Sequence, residues 1–329
     1  MKKFFAAVIL LLGILFVISR FTQLKEVARV LSNGNIYIIL AAILVQFFWF
    51  IVQGRTFQST FAMVGVEKKL PPLVHLVTAV NFVNLVAPSA GVSGMAVLYS
   101  DALRNGHSSA RITVGSVLFL IFDYVGLLSV IFVGMLILAF KGSLNATEII
   151  AYVLFVLLTF ALATLLYLAS KSKERLSAVL CWFAGIANKL THWIMKRTLV
   201  TSERVETFAT EITEGVQALG HVRKGWIRPA LLTFLNKVLL ISILGLMFLA
   251  FDVPISPDRL IAGFGIGYLF VIVSPTPAGV GIVEGILTLA LSNLGVAVEA
   301  AAVVTLAFRG ITFWMPLGLG LVAFRTLPK

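Results

Sequence analysis

The chain has 329 residues, of which 60% are hydrophobic and 12% are charged, and its mean hydropathy is +1.04. Soluble domains carry roughly 45–50% apolar and about 25% charged residues, so this composition excludes a soluble enzyme, a disordered chain and a water-exposed repeat array. The net charge of +12 would suggest nucleic acid in a soluble protein. Basic residues of membrane proteins instead concentrate in cytoplasmic loops, so we expect one polytopic membrane domain over residues 1–329 and no nucleic-acid partner.

Six apolar runs predict membrane-spanning helices, each of which needs about 20 mostly apolar residues. The first, Phe4–Ser19, is short, but no small-x-small cleavage site follows it, so we interpret it as a retained helix rather than a signal peptide. The other five are Ile36–Gln53, Ile112–Phe140, Ile149–Ser170, Pro229–Phe251 and Ala300–Phe324. The sequence therefore predicts an all-α integral membrane protein with six full spans.

Two further apolar stretches, Leu73–Leu103 and Leu260–Leu294, are interrupted by proline, glycine or asparagine. Each is either a kinked span or a re-entrant hairpin, because a broken backbone survives in a membrane only inside protein or beside a wet cavity. If both stretches are re-entrant hairpins, most basic residues and both termini lie on one side of the membrane. The positive-inside rule identifies that side as the cytoplasm. The outer side then receives Arg20, Lys25, Arg29, Lys141 and Arg259. We therefore expect two re-entrant broken-helix hairpins.

Residues 171–228 form the longest cytoplasmic loop of this topology. Apolar residues recur there at helical spacing in two segments, one around Leu180 and one around Ile212. We interpret the loop as a pair of amphipathic helices on the anionic surface of the inner leaflet. The alternative is a docking site for a partner protein.

The two interrupted stretches resemble each other and predict an internal repeat. In the expected topology they enter the membrane from opposite sides, which makes the repeat inverted. Inverted repeats with Gly- and Pro-broken helices indicate a transport site near the midplane. The alternative is that the small residues only permit close helix packing. The corresponding pairs are Pro88 and Pro275, Gly91 and Gly281, Gly106 and Gly295, and Asp123 and Arg309.

Four ionisable residues lie within apolar segments: Asp123, Lys237, Glu284 and Arg309. Each costs roughly 2.5–3.5 kcal/mol at a helix centre, so each must face the interior, form a pair or meet water. We expect Lys237 to extend to the cytoplasmic face as an interfacial anchor. Asp123 and Arg309 either form a structural ion pair with each other or bind substrate, with Arg309 at an anionic headgroup.

Three polar residues near the broken turns complete a predicted polar path. Glu284 lies in the first turn of a half-helix, where a carboxylate interacts favourably with the helix dipole and where backbone N–H groups could also meet a phosphate. Asn81 and Asn84 lie one turn apart and add neutral hydrogen-bonding groups. The sequence contains no motif typical of a catalytic, metal or cofactor site, so we expect neither an enzyme nor a bound cofactor.

The segment SPTPAGVGIVE, which ends at Glu284 and is followed by Gly295 and Arg309, resembles the lysylphosphatidylglycerol synthase transmembrane region family. The resemblance implies a multi-pass protein of the bacterial inner membrane that translocates lipids or assists lipid-linked steps. By position it marks Pro277, Gly279, Gly281, Glu284 and Arg309. Family members often carry an Arg and a Gly-Glu pair after the first-half proline, and this chain has neither, so we expect a lipid other than lysylphosphatidylglycerol. Without a synthase domain the chain is expected not to aminoacylate lipid.

Three functions are consistent with this sequence. The leading hypothesis is a flippase or scramblase whose partners are membrane lipids with polar headgroups. The first alternative is a non-catalytic membrane partner of glycosyltransferases that build lipid-linked glycans. The second is a secondary transporter of small solutes. A second copy of the chain is a further candidate partner.

Overall fold

The computed structural model describes residues 21–86, 93–142, 144–195, 202–217, 225–274 and 276–327, and these residues are almost entirely helical. The helices are α1 (Phe21–Asn33), α2 (Ile36–Met63), α3 (Leu70–Val86), α4 (Met95–Arg104), α5 (Ser109–Phe140), α6 (Ala146–Lys171), α7 (Lys173–Met195), α8 (Ser202–Gln217), α9 (Ile227–Ala250), α10 (Pro257–Val273), α11 (Ile282–Asn293), α12 (Val298–Arg309) and α13 (Met315–Thr326). A 3-10 turn, Pro277–Gly279, lies between α10 and α11. A π-helical segment, Gly310–Trp314, joins α12 to α13 into one long helix.

Within the described residues, five helices are long and apolar enough to cross a membrane: α2, α5, α6, α9 and the composite helix Val298–Thr326. They correspond to five of the predicted spans. The predicted first span, Phe4–Ser19, lies outside the described residues. Helix α6 is the clearest lipid-facing element, because large apolar side chains such as Leu157 and Phe160 are 57% and 69% exposed. An apolar surface of that extent indicates contact with lipid rather than water.

Helices α2 and α9 pack extensively on each other and run antiparallel. The N–H of Asn35, which precedes α2, donates to the carbonyl of Ala250 at the end of α9 (2.8 Å). We call this side of the molecule the Asn35 end. The opposite side, where α2 ends, α5 begins and His75 approaches Thr326 of α13 (2.8 Å), is the Thr326 end.

Both interrupted stretches fold as helical hairpins. The first hairpin, α3–α4, has its open end at the Thr326 end, where Lys68 and Asp101 form an ion pair. The second hairpin, α10–α11, is antiparallel along its length, since Gly263 lies against Leu291 and Gly267 against Leu287. Its open end is at the Asn35 end, where Asp258 pairs with Lys141. The turn of the first hairpin, residues 87–92 with Pro88 and Gly91, lies outside the described residues.

The two hairpins are packed reciprocally. Helix α3 of the first hairpin packs on α13, and α10 of the second hairpin packs on α5, so each hairpin lies against the long helix that follows the other one. Both contacts depend on glycine: Gly320 faces α3, and Gly134 and Gly265 lie between α5 and α10. Helix α3 also reaches the 3-10 turn at the tip of the second hairpin.

Two amphipathic helices outside the five long apolar ones, α8 and α1, pack on the protein. Helix α8 buries Val205, Ala209 and Ile212 against α5, α6 and α7, so its apolar side faces protein rather than a lipid surface. The expected outer segment around Arg29 forms α1, which packs on α12 and on the π-helical segment. In both cases an amphipathic helix finds its apolar partner within the same chain.

The glycine contact between α3 and α13 gives a direct test of the packing. A Cβ atom at Gly320 would lie 2.7 Å from Cβ of Phe82 and 2.8 Å from the carbonyl oxygen of Thr78, whereas a Cβ at Gly318 would meet nothing within 4 Å. We expect Gly320→Ala to destabilise the protein by about 1–3 kcal/mol through overpacking. Gly318→Ala is the matched control and should stabilise it by up to about 1 kcal/mol through helix propensity. Thermal unfolding in detergent measures both, and equal shifts for the two variants would contradict the packing.

Candidate functional site

The backbone at the tip of the second hairpin has conformations that few residue types adopt. Ala278, Gly279 and Gly281 all have positive φ angles, of 47°, 71° and 87°. A side chain at Gly279 would also collide with Val283, so this position needs glycine for space as well as for conformation. Pro277 begins the 3-10 turn. The residues of this segment that the family resemblance marks, Pro277, Gly279 and Gly281, therefore form the turn itself.

Glu284 and Arg309 hold that turn together. One carboxylate oxygen of Glu284 accepts from the N–H of Gly281 (2.7 Å), and the other accepts from Nε of Arg309 (2.8 Å). The guanidinium of Arg309 also donates to the carbonyl of Ala278 (3.1 Å) and lies over the ring of Phe313 (4.4 Å). Arg309 is only 5% exposed, so a buried charge, its counter-charge and a backbone carbonyl satisfy one another.

The sequence suggests Arg309 or a substrate as the partner of Asp123, and the structure shows a different partner. It forms an ion pair with Lys237 of α9 (Oδ1 to Nζ, 2.5 Å). Lys237 is 3% exposed, so the expectation that it extends to the cytoplasmic face is wrong. A structural pair between Asp123 and Arg309 is likewise not formed, because each is engaged with another residue. Tyr268 of α10 lies edge-on to Phe308, the residue before Arg309, with ring centroids 6.4 Å apart.

Asn84 holds the first hairpin as Glu284 holds the second. Its Oδ1 accepts from the N–H of Gly94 (2.6 Å) and from the hydroxyl of Ser93 (3.0 Å), directly before α4 begins. Gly94 precedes Gly281 by as many residues as Pro88 precedes Pro275. The pairing of Gly91 with Gly281 stays a prediction, since Gly91 lies outside the described residues.

Asn81 and Asn84 line a pocket between the first hairpin, α2 and α5. Asn81 is paired with Gln53 of α2 through both amide groups, at 2.6 and 3.4 Å. Gln53 was not predicted as a site residue, although it lies seven positions after Gln46 on one face of an apolar helix. That spacing of two glutamines was the only sequence signal for it.

The predicted site residues thus form two groups rather than one. Pro277, Gly279, Gly281, Glu284 and Arg309 meet at the tip of the second hairpin, and Asn81 and Asn84 line the pocket of the first, while Asp123 pairs with Lys237. Within the described ranges no three His, Cys, Asp or Glu side chains are close enough to hold a metal ion. The chemistry offered is hydrogen bonding and paired charge within an apolar body.

These features define a class of protein: a multi-pass α-helical membrane protein with two reciprocally packed hairpins and paired charges in its interior. Comparison with known families gives the finer assignment. The chain belongs to the lysylphosphatidylglycerol synthase TM region family, whose sequence model matches residues 4–320, nearly the whole chain. No curated protein sequence matches it. The family membership expected from the segment around Gly281 is confirmed, and it relates the chain to lipid handling.

The ion-pair assignment can be tested by double-mutant cycles. Glu284→Gln or Arg309→Gln alone leaves a buried charge without its partner and should destabilise the protein by about 3–5 kcal/mol. The double variant should lose much less than the sum, because no unpaired charge remains. The pair Asp123→Asn and Lys237→Gln should behave in the same way.

The matched control combines Asp123→Asn with Arg309→Gln, one residue from each ion pair. Its effects should be close to additive, since both remaining partners are left unpaired. The measurement is the free energy of unfolding in mixed micelles. A larger coupling energy for Asp123 with Arg309 than for the two observed pairs would contradict the assignment.

Proposed function

We propose that this chain translocates lipids across the membrane, with the two hairpins as re-entrant elements between which a polar headgroup crosses while the acyl chains stay in lipid. The observation that carries the proposal is the placement of the hairpins. Their open ends lie at opposite ends of the bundle, and α3 of the first contacts the tip of the second. Discontinuous helices from two inverted halves that meet near the midplane are typical of transport sites.

The polar groups support a lipid substrate. Glu284, Arg309, Asp123 and Lys237 lie among apolar helices that a lipid headgroup would otherwise be unable to pass. Charges at such depth are costly and are found where a substrate or ion pathway runs. Both charged pairs are internally neutral, so the region adds polarity without a net charge. The family's relation to lipid handling agrees with this proposal.

The reconstituted protein should speed the movement of fluorescent phospholipids across vesicle membranes, measured by dithionite quenching. Replacing both members of the buried pair, Glu284→Gln with Arg309→Gln, avoids an unpaired charge and should leave the protein folded. It also removes the hydrogen bonds that the guanidinium of Arg309 makes to Glu284 and to the carbonyl of Ala278, so the rate should fall at least about tenfold.

The matched control neutralises the ion pair at the rim of the second hairpin, Lys141→Gln with Asp258→Asn. That pair is largely exposed, with side chains 35% and 42% accessible, and should change the rate by less than about twofold. A wild-type protein that leaves lipid distribution unchanged would overturn the proposal. Co-purification of a glycosyltransferase, or ion-driven uptake of a solute, would then favour one of the alternatives.

The orientation belongs to the same proposal: the Thr326 end faces the cytoplasm of a bacterial cell. Lys68, Arg104 and Arg111 lie at this end, and α8 packs on the first turns of α5 there. The acidic loop around Asp252 lies at the other end. A basic cytoplasmic side and an acidic outer side follow the positive-inside rule.

Cys181 provides the test, since it is the single cysteine and is exposed on α7. A membrane-impermeant maleimide should label it in inside-out vesicles and not in intact cells. The variant Cys181→Ser with Lys141→Cys should show the opposite pattern, because residue 141 lies at the Asn35 end. Labelling of Cys181 from outside would reverse the orientation.

A further inference from the structure

The open end of the first hairpin carries a cluster of basic side chains around the loop that joins α2 to α3. The side chain of Gln58 donates to the carbonyl of Lys68 in this loop (2.7 Å) and accepts from Arg55 (3.5 Å). A Cβ atom at Gly65 of the same loop would lie 3.3 Å from the guanidinium of Arg111. We call this cluster the basic rim, and its members are Arg55, Lys68, Lys69, Arg104 and Arg111.

Acidic side chains balance only part of the charge of the basic rim. Asp101 forms ion pairs with Lys68 and with Arg104. Within the described residues, the other three rim cations form no ion pair with an acidic side chain, and all three are exposed: Arg55, Lys69 and Arg111. Exposed cations without a counter-charge in the protein can meet anions from outside it.

The basic rim lies where a lipid-facing surface ends. Leu44, Phe48 and Ile51 are exposed and lie on the face of α2 that carries Arg55, at helical spacing. An apolar face of this length indicates contact with lipid. Arg55 lies about 30 Å along α2 from Asn35, which equals the thickness of a typical hydrocarbon core. The basic rim is therefore at the level of the lipid headgroups.

Helix α4 adds an apolar surface that begins at the same level. Tyr99 and Leu103 lie one turn apart and are both exposed, and Arg104 of the basic rim ends the helix. A lipid whose phosphate meets the basic rim can therefore place an acyl chain along α4. Cations beside an apolar surface fit both parts of a lipid molecule.

We infer that the basic rim binds the phosphate group of an anionic phospholipid. Arginine and lysine form charge-assisted hydrogen bonds with phosphate oxygens. The net positive charge favours a headgroup with a net negative charge over a zwitterionic one, whose own ammonium group it repels. The leaflet rests on the proposed orientation, which makes it the cytoplasmic one, whereas the binding itself does not depend on translocation.

This site differs from the one that the sequence suggests. The amphipathic pattern of residues 171–228 predicts contact between that segment and an anionic membrane surface. Helix α8 of the segment instead buries its apolar side against protein. The basic rim, in contrast, adjoins the lipid-facing residues of α2 and α4.

The test variant removes the three rim cations that form no ion pair, as Arg55→Gln, Lys69→Gln and Arg111→Gln together. These side chains are exposed, so the fold should be kept. A second variant, Arg55→Lys with Lys69→Arg and Arg111→Lys, keeps the charge and should bind lipid as the wild type does.

The matched control removes the same amount of charge from the junction of α6 and α7, as Lys171→Gln, Lys173→Gln and Arg175→Gln together. These three residues are also exposed and lie in the 171–228 segment at the same end of the molecule. The control therefore separates the basic rim from a general attraction of anionic lipid to a basic protein.

The measurement is native mass spectrometry of the whole protein in detergent with equal amounts of phosphatidylglycerol and phosphatidylcholine. The wild type should retain phosphatidylglycerol at least about tenfold better than phosphatidylcholine. This preference should fall to less than about twofold in the rim variant and change by less than about twofold in the control and in the charge-preserving variant. Equal losses in the rim variant and the control, or a greater loss in the control, would overturn the inference.

Two further outcomes separate the source of the phosphate and the proposed translocation. An equal concentration of inorganic phosphate should leave phosphatidylglycerol bound, and its displacement would contradict a lipid-borne headgroup by pointing to a free anion. Retention in detergent requires no lipid movement, so a preference that the rim variant loses supports the site even if no lipid crosses a vesicle membrane. Lipid movement without that preference supports translocation and contradicts the site.

Discussion

Unpaired backbone groups are the constraint on which this structure depends. Two helices are broken inside an apolar body, and lipid offers no partner for the N–H and carbonyl groups that each break releases. The protein supplies the partners from side chains: Asn84 for the N–H of Gly94, Glu284 for the N–H of Gly281, and Arg309 for the carbonyl of Ala278. Each polar residue is therefore needed by the fold before it is used by any substrate.

The two halves meet this constraint with different chemistry. The neutral amide of Asn84 joins α3 to the residues directly before α4, whereas a carboxylate and a guanidinium hold the turn of the second hairpin. The sequence predicts that Asp123 and Arg309 correspond in the repeat, and the structure pairs Arg309 with Glu284 and Asp123 with Lys237 of α9. The two hairpins are thus held by different polar groups.

The sequence predicted where the helices lie better than it predicted which polar side chains pair with each other. Apolar run length located five spanning helices, and proline with glycine located both hairpins, because these signals are local. The partner of Asp123 could not be predicted, since it depends on the rotation of α9 about its axis, which sets whether Lys237 faces the interior or the surface. The same holds for Gln53, which meets Asn81 only through the packing of α2 on α3. The burial of α8 was missed because an amphipathic pattern does not distinguish lipid from protein as its apolar partner.

Reciprocal packing links the two halves mechanically. The first hairpin rests on α13 and the second on α5, so neither can shift without meeting a helix of the other half. At both contacts glycine lets the backbones approach, at Gly320 on one side and at Gly134 and Gly265 on the other. At these contacts the two helix backbones approach each other closely, with no large side chain between them. The ion pairs Lys68 with Asp101 and Lys141 with Asp258 lie where the hairpins emerge, and Glu284 with Arg309 holds the tip of the second, so polar contacts join the second hairpin at both of its ends.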